Sequence, residues 1–442
     1  MARFMFAVGI EGSYPVISDG HGGTIRRDLF ESTGHYQRWR EDLDLARGLG
    51  LTHVRWGPPI HRTWLGPGHY DWSFTDEVLA RMHEIGLEPI LDLCHFGMPD
   101  WLGNSFQNSE FPRYFAEYAK DFAFRYRRVR MYTPVNEIYI AARFSAELGW
   151  WNERMVSRGV ESKDSEDRPL GGIWEAGPGA EIPFVTAVKH LCMASILSME
   201  AILSVNYRAI FIQSESTEYY HSISPNVEAR ASFLNERRFL PLDLTYGRHV
   251  EAPIYQYLND NGMSRGEYDE FMRRGPALRG RCILGTDYYS TNEQFVHADG
   301  HTAPVGGEVY GYYVVMTDYE RRYHLPVMHT ETNFPHPDGA SEWLWKQAAN
   351  VRRLREDQIP IVGFTWYGLV DMVDWDVALR EVRGTVNPVG LFDLDRRERP
   401  ACQAFRELVR DFGHIVAFDS ALAWLDRIDE LDREDGRALA GR

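Results

Sequence analysis

Short apolar runs alternate with longer segments whose apolar positions recur at helical spacing, and the alternation continues from Phe4 to about residue 412. The strand-like runs are FMFAV from Phe4, THVRW from Thr52, LEPILDL from Leu87 and RMYTPVNE from Arg130. AIFIQSE from Ala209, CILGTDYY from Cys282, LPVMHTE from Leu325 and IVGFTW from Ile361 complete the set. Each is bounded by Gly, Pro or charge and is apolar through its middle, as a strand covered on both faces should be. Between them lie amphipathic stretches such as YQRWREDLDLARGLG, FTDEVLARMHEIG and EWLWKQAANVRRLRED, two of which stop at Gly50 and Gly86. Eight βα units in series predict an α/β protein folded as a closed (β/α)8 TIM barrel. A doubly wound open sheet is the alternative, but it does not call for eight regular units. Residues 1–412 are read as one barrel, and 413–442, with AWLDRIDELDRED, as a charged helical tail. The connections at roughly 138–182, 216–280 and 367–390 all follow strand C-termini, so the long loops should gather at the C-terminal face.

Composition narrows the partners. The net charge is −16, from 48 basic and 64 acidic side chains, with no basic tract, which argues against nucleic acid and anionic membranes. Cys94, Cys192, Cys282 and Cys402 form no CxxC pair, so neither a disulfide framework nor a cysteine zinc site is expected. No apolar run is expected to reach a membrane span, and the start MARFMFAVGIEG reads as a strand rather than a signal peptide, which gives a cytoplasmic location as the expectation. HEIGLE at His83 is not HExxH, and Walker and GxSxG patterns are absent, so no metal and no cofactor are expected. Aromatics make up 13% of the chain, often beside Asp, Glu, His or Asn, a mixture suited to gripping sugars.

The ends of the predicted strands concentrate polar groups. The second ends in Arg55-Trp56, the third runs into Cys94-His95, and the fourth ends in Asn136-Glu137. The fifth ends in Gln213-Ser214-Glu215, the sixth in Asp287-Tyr288-Tyr289, the seventh in Thr330-Glu331 and the eighth in Trp366. Buried polar groups are costly unless paired or used, and so long a series points to a site. Glu137 and Glu331, across the barrel mouth from one another, suit glycoside hydrolysis, in which one carboxyl protonates the leaving oxygen and the other attacks the anomeric carbon. A separation of about 5–5.5 Å would give a retaining mechanism. Tyr289 is placed to hydrogen-bond Glu331, and Asn136 to hold a sugar hydroxyl.

With these residues in hand, the chain resembles glycoside hydrolase family 1, the β-glucosidase family, over about residues 5–412. GHYQRWREDLDLARGLGLTHVRW is similar to the family's first helix and second strand, making Arg55 its active-site arginine. CHFGMPDWL resembles the histidine-containing segment, making His95 a glycone hydroxyl ligand, with Phe96 where Trp is usual. TPVNE matches the acid/base motif, implying Asn136 as the 2-hydroxyl ligand and Glu137 as proton donor and later base. HTETN matches the nucleophile motif and implies Glu331. TDYYS resembles the asparagine-tyrosine-tyrosine segment, with Tyr289 beside the nucleophile. FTWYGLVDMVDW is similar to the last strand and its loop, implying Trp366 as sugar platform and Asp374 and Trp375 as outer hydroxyl ligands. NPVGLFDLDRRERPACQAF resembles the closing segment.

The departures bear on substrate. Gly9 stands where the family carries a glutamine for distal glucose hydroxyls, Asp287, expected as a substrate-binding residue, replaces an asparagine close to Glu331, and Asp374 replaces a glutamate in a loop with Arg380 and Arg383. Loss of a hydrogen-bonding partner discriminates strongly between substrates, which points away from a plain glucosidase. The expectation is a divergent, retaining β-glycosidase acting on a β-linked glycoside or oligosaccharide, with self-association left open. The rivals are a transglycosylase using the same glutamates, a non-catalytic sugar-binding barrel, and another carboxylate-based barrel hydrolase. Elsewhere, His61, Trp64 and Trp101 are candidates for the aglycone entrance. Glu215 and Glu218 are read as loop hydrogen-bonding groups ahead of substrate contacts, Asp92 as an orienting group, and His190 as core or near-site packing.

Overall fold

A computed structural model describes residues 4–103, 105–152 and 184–412 of the protein. The expected tail 413–442, and most of the connection expected at 138–182, lie outside the described residues. Eight parallel strands close into a barrel: β1 (Met5–Ile10), β2 (His53–Trp56), β3 (Glu88–Asp92), β4 (Met131–Thr133), β5 (Ile210–Ser216), β6 (Cys282–Asp287), β7 (Val327–Glu331) and β8 (Ile361–Tyr367). Each pairs with its sequence neighbours, and β1 pairs with both β2 and β8 to complete the ring. The fold is therefore the expected (β/α)8 barrel. The main outer helices are α1 (His35–Gly48), α2 (Ser73–Ile85), α3 (Phe111–Arg125), α4 (Phe184–Val205), α5 (Arg265–Arg279), α6 (Gly311–Tyr323), α7 (Pro337–Glu356) and α8 (Pro400–Phe412).

Strand alternation sorts the apolar residues into two sets. Met5, Ile90, Ile210, Ile212, Ile283, Met328 and Val362 form a separate cluster that fills the barrel interior. Phe6, Val8, Val54, Trp56, Leu91, Phe211, Leu284, Phe364 and Trp366 join the larger core beneath the helices. Gly86 ends α2 in the left-handed conformation at φ 70°, where a side chain would be strained.

Helix α4 corrects the expectation that no segment reaches membrane-spanning length: it has 22 residues and is apolar enough to qualify by composition. In the fold it packs along α3 and buries Phe184, Leu191, Ile196, Met199 and Ile202. All four cysteines are free and buried.

At the C-terminal face the connections carry their own structure. The segment after β5 holds a short strand, Tyr219–Ser222, and further helices, while the segment after β8 forms the ribbon Met372–Val373 with Val386–Asn387. These elements surround the strand ends where the polar residues collect.

Candidate active site

Arg55 is the hub of the strand-end cluster. Its position in β2 opposite Gly9 of β1 and Ile90 of β3 turns its side chain into the ring above the apolar interior. One terminal nitrogen, Nη1, donates to Glu331 Oε1 and pairs with Glu11 Oε1 at 3.2 Å. The other, Nη2, donates to Asp92 Oδ2 at 2.8 Å and Asn136 Oδ1 at 2.6 Å. Burial opposes its charge, but Glu331, Asp92 and Glu11 together hold it firmly protonated. Asp92 Oδ2 is shared with His95 Nδ1 at 2.9 Å, so the arginine and the histidine are oriented by the same carboxylate. Tyr289 completes the setting of Glu331 by donating its hydroxyl to Oε2 at 2.7 Å.

Glu137 has a different environment. It lies between the end of β4 and a short helix, Ile138–Ala142, with its backbone in the left-handed region at φ 37°. Its N–H donates to Ser214 O at 2.9 Å. Burial, then the charges of Asp287 and Glu331, push its carboxyl well above the ordinary range. The fold thus brings Glu137 and Glu331 within each other's field, one facing like charges and the other facing an arginine and a phenol.

Asn136, His95, Tyr289 and Arg55 lie together with the two glutamates, as the sequence places them. Asn136 Nδ2 and Trp375 Nε1 are buried donors without a hydrogen-bond partner among the described residues, the state expected of groups awaiting a ligand. Trp375 packs near Phe96 and Trp151, with ring centroids at 6.0 and 6.3 Å.

Three sequence expectations need correction. Trp366 is no platform: it is fully buried in the outer core, and its indole N–H donates to Val389 O at 3.0 Å. The next residue, Tyr367, faces the site instead. Its hydroxyl lies 3.3 Å from His95 Nε2, the two ring centroids are 5.7 Å apart, and the peptide bond after it is cis. Asp374 is not an outer hydroxyl ligand. It accepts from Arg27 Nη2 at 2.6 Å and from the N–H groups of Arg383, Gly384 and Thr385 at 3.2, 3.1 and 2.8 Å, and it is fully buried. Asp287 is likewise spoken for: its carboxylate accepts from Ser214 Oγ at 2.7–2.8 Å and Thr330 Oγ1 at 2.6 Å. It acts on the glutamates through charge, and burial followed by Glu331 raises its own carboxyl well above the usual range.

The site also uses residues the sequence left aside. Glu11 is buried against Arg55, and burial pushes its carboxyl well up. A Cβ on Gly9 would lie 2.4 Å from Tyr367 Cδ2 and 2.6 Å from Glu11 Oε2, so these two groups fill the place of a side chain at position 9. Period-two alternation along β8, with Phe364 and Trp366 outward, is the signal that would have chosen Tyr367. Glu215 accepts the N–H groups of Ile138 and Tyr139 at 3.0 and 3.2 Å, and burial lifts its carboxyl to about 8. Glu218, lifted to about 7 by burial, accepts from Ser216, Asn292 and Gln294.

The candidate entrance residues are structural. His61 stacks on Tyr14 and bonds Asp28, Trp64 is buried and stacked on Tyr118, and Trp101 donates to Trp64 O. His190 bonds Phe106 O. Among the described residues no group of side chains is arranged to hold a metal ion.

The model of "Glycosyl hydrolase family 1" matches residues 23–157, a span that contains Arg55, His95, Asn136 and Glu137. The aryl-phospho-beta-D-glucosidase BglA of Bacillus subtilis is 22% identical over 393 residues, covering 78% of each chain. A bifunctional beta-D-glucosidase/beta-D-fucosidase of Bifidobacterium breve is 29% identical over 171 residues, 32% of this chain and 36% of that one. A probable inactive beta-glucosidase 14 of Oryza sativa subsp. japonica is 26% identical over 149 residues, covering 31% of this chain and 27% of its own. A solved structure of the beta-glucosidase of Thermotoga maritima, bound to a substituted glucoimidazole, superposes with a TM-score of 0.72 at 15% identity, covering 92% of this chain and 98% of that one. At that identity the likeness concerns the fold. Over residues 23–157 in sequence, and across the closed barrel in fold, the chain is similar to glycosyl hydrolase family 1.

Proposed function

We propose that the protein is a retaining β-glycosidase in which Glu331 is the nucleophile and Glu137 the acid/base. The observation that carries this reading is the contrast between the two carboxyls. Both oxygens of Glu331 accept hydrogen bonds, from Arg55 and Tyr289, donors that fix the orientation an attacking group needs. Glu137 is buried among like charges, which favours the proton an acid must carry.

In the first step Glu331 attacks the anomeric carbon of a β-glycoside. The bond to the leaving oxygen breaks as that oxygen takes the Glu137 proton, leaving a glycosyl ester on Glu331. In the second, Glu137 removes a proton from water, which attacks the same carbon and frees Glu331 with net retention. Asn136 Nδ2 and Trp375 Nε1 are the unpaired donors offered to the bound sugar. Position 9 and Asp374 offer none, so the glycone is held at fewer distal points than the family pattern implies.

The test is Glu331→Ala assayed on a panel of 4-nitrophenyl β-glycosides. Turnover should vanish and azide should restore part of it as a glycosyl azide. Undiminished activity in this variant would remove Glu331 from the role.

A further inference from the structure

The backbone at Glu137 poses a problem that its own side chain cannot solve. A non-glycine residue at φ 37° is strained by roughly 1–3 kcal/mol and persists only where its surroundings over-determine it. It also precedes a helix whose first N–H groups have no intrahelical acceptor. The residue before a helix ordinarily caps those groups with its side chain. Glu137 makes no such bond. An acid/base glutamate must keep its carboxyl for the substrate.

The missing acceptor comes from the neighbouring strand. Glu215, at 2% exposure in β5, takes the Ile138 N–H on Oε1 at 3.0 Å and the Tyr139 N–H on Oε2 at 3.2 Å. Ser214, the residue before it, takes the Glu137 N–H on its carbonyl at 2.9 Å. Three consecutive amides, 137 to 139, are thus received by two consecutive residues of one strand. Gln213 Nε2, at 3.4 Å from Glu215 Oε1, steadies the carboxylate from behind, and Ser195 Oγ bonds the same glutamine at 3.0 Å. Ile138 N–H, Tyr139 N–H and Gln213 Nε2 all donate to the Glu215 carboxyl, so the group is built to receive.

We propose that Glu215 is a positioning residue for the acid/base glutamate: by receiving the Ile138 and Tyr139 N–H groups it holds the left-handed turn that aims Glu137 at the leaving-group oxygen. This rests on the assignment of Glu137 as the proton donor. Loss of the clamp lets the turn relax. A displacement of about 1 Å in a catalytic group costs on the order of a hundredfold in rate. The loss falls on the proton transfers made by Glu137, first as acid and then as base, and leaves the attack by Glu331 untouched.

The readout is therefore leaving-group dependence. The 2,4-dinitrophenyl and phenyl β-glycosides of the best sugar from the panel are compared, since dinitrophenolate departs without a proton and phenolate needs one. Glu137→Gln serves as the reference for a missing acid. For Glu215→Leu, kcat/KM on the phenyl glycoside should fall about 10- to 100-fold. The dinitrophenyl kcat/KM should stay within about threefold of wild type while its kcat and KM fall together, because Glu137 is also the base of the second step, and Glu215→Gln should lie between. If Glu215→Leu does not fold, the same ratio is read from Glu215→Gln. A variant that keeps the wild-type ratio, or loses both activities equally, overturns the proposal. If Glu137→Gln itself shows no leaving-group dependence, the assignment of Glu137 falls and the role of Glu215 falls with it.

Discussion

Gly9 is the position where the site departs most sharply from the family it resembles, and the structure gives the departure a measurable cost. The Gly9 backbone is outside the left-handed region, so a side chain there meets a steric obstacle alone. An alanine Cβ would stand 2.4 Å from Tyr367 Cδ2, whereas carbon atoms pack at about 3.5–4.0 Å. The ring would have to retreat by about 1 Å or more, against its contact with His95 and its place in the cluster with Leu29, Met372 and Val389. Such overpacking costs about 1–3 kcal/mol. For 442 residues the unfolding entropy scales to about 0.9 kcal/mol per kelvin, so Gly9→Ala should lower the thermal midpoint by about 1–3 °C. The diagnostic assay is a double-mutant cycle followed by calorimetry and urea unfolding. In a Tyr367→Ala background the tyrosine's part of the cost of Gly9→Ala should disappear and only the Glu11 Oε2 contact at 2.6 Å remain, giving a coupling of about 1–3 kcal/mol. If Gly9→Ala costs nothing, or costs the same with and without the tyrosine ring, then Tyr367 does not occupy the place of the missing side chain.

Other outcomes follow from charge. Asp287→Asn removes the strongest like charge acting on Glu137, while Glu331, Glu215 and Glu218 remain. The Glu137 carboxyl should then ionise more easily, and the alkaline limb of kcat/KM should move to lower pH; a fixed or alkaline-shifted limb would contradict the coupling. Arg27→Met strands the buried Asp374 carboxylate with backbone donors only, and should cost about 3 kcal/mol in urea unfolding. A loss below about 1 kcal/mol would mean that the backbone of 383–385 holds Asp374 unaided. His329, stacked on Tyr312 at 4.0 Å, is pushed down to about 3 by burial. The folded state therefore binds fewer protons than the unfolded one below the ordinary histidine value. Stability should fall as pH drops from about 6.5 toward 3, and His329→Phe should reduce that fall by on the order of a few kcal/mol.

Much of the barrel is legible in the sequence because eight buried strands and their amphipathic helices leave local, periodic marks. Polar residues at strand ends are equally visible, and Arg55, Asn136, Glu137 and Glu331 come together where their strands predict. What is not legible is how each polar group spends its bonds. The partner of Asp374 is Arg27, 347 residues earlier in the chain, and no local pattern announces it. Trp366 and Tyr367 differ by one position, and one step along a strand exchanges the inside of a barrel for the outside. Aromatic identity alone favours the tryptophan, whereas the outward run of Phe364 and Trp366 assigns the site to the tyrosine. Glu215 reads locally as a loop residue, because its partners are backbone amides on the neighbouring β4 connection, 76 and 77 residues away.

The central claim is that Glu331 forms a bond to the sugar. Incubation with 2,4-dinitrophenyl 2-deoxy-2-fluoro-β-glycosides of several sugars, followed by peptide mass spectrometry, tests it directly. The account predicts time-dependent inactivation by at least one of them, with a single fluoroglycosyl group on the peptide that carries Glu331 and none in Glu331→Ala. A label on another carboxylate, or steady hydrolysis with inversion at the anomeric carbon and no label, would contradict it.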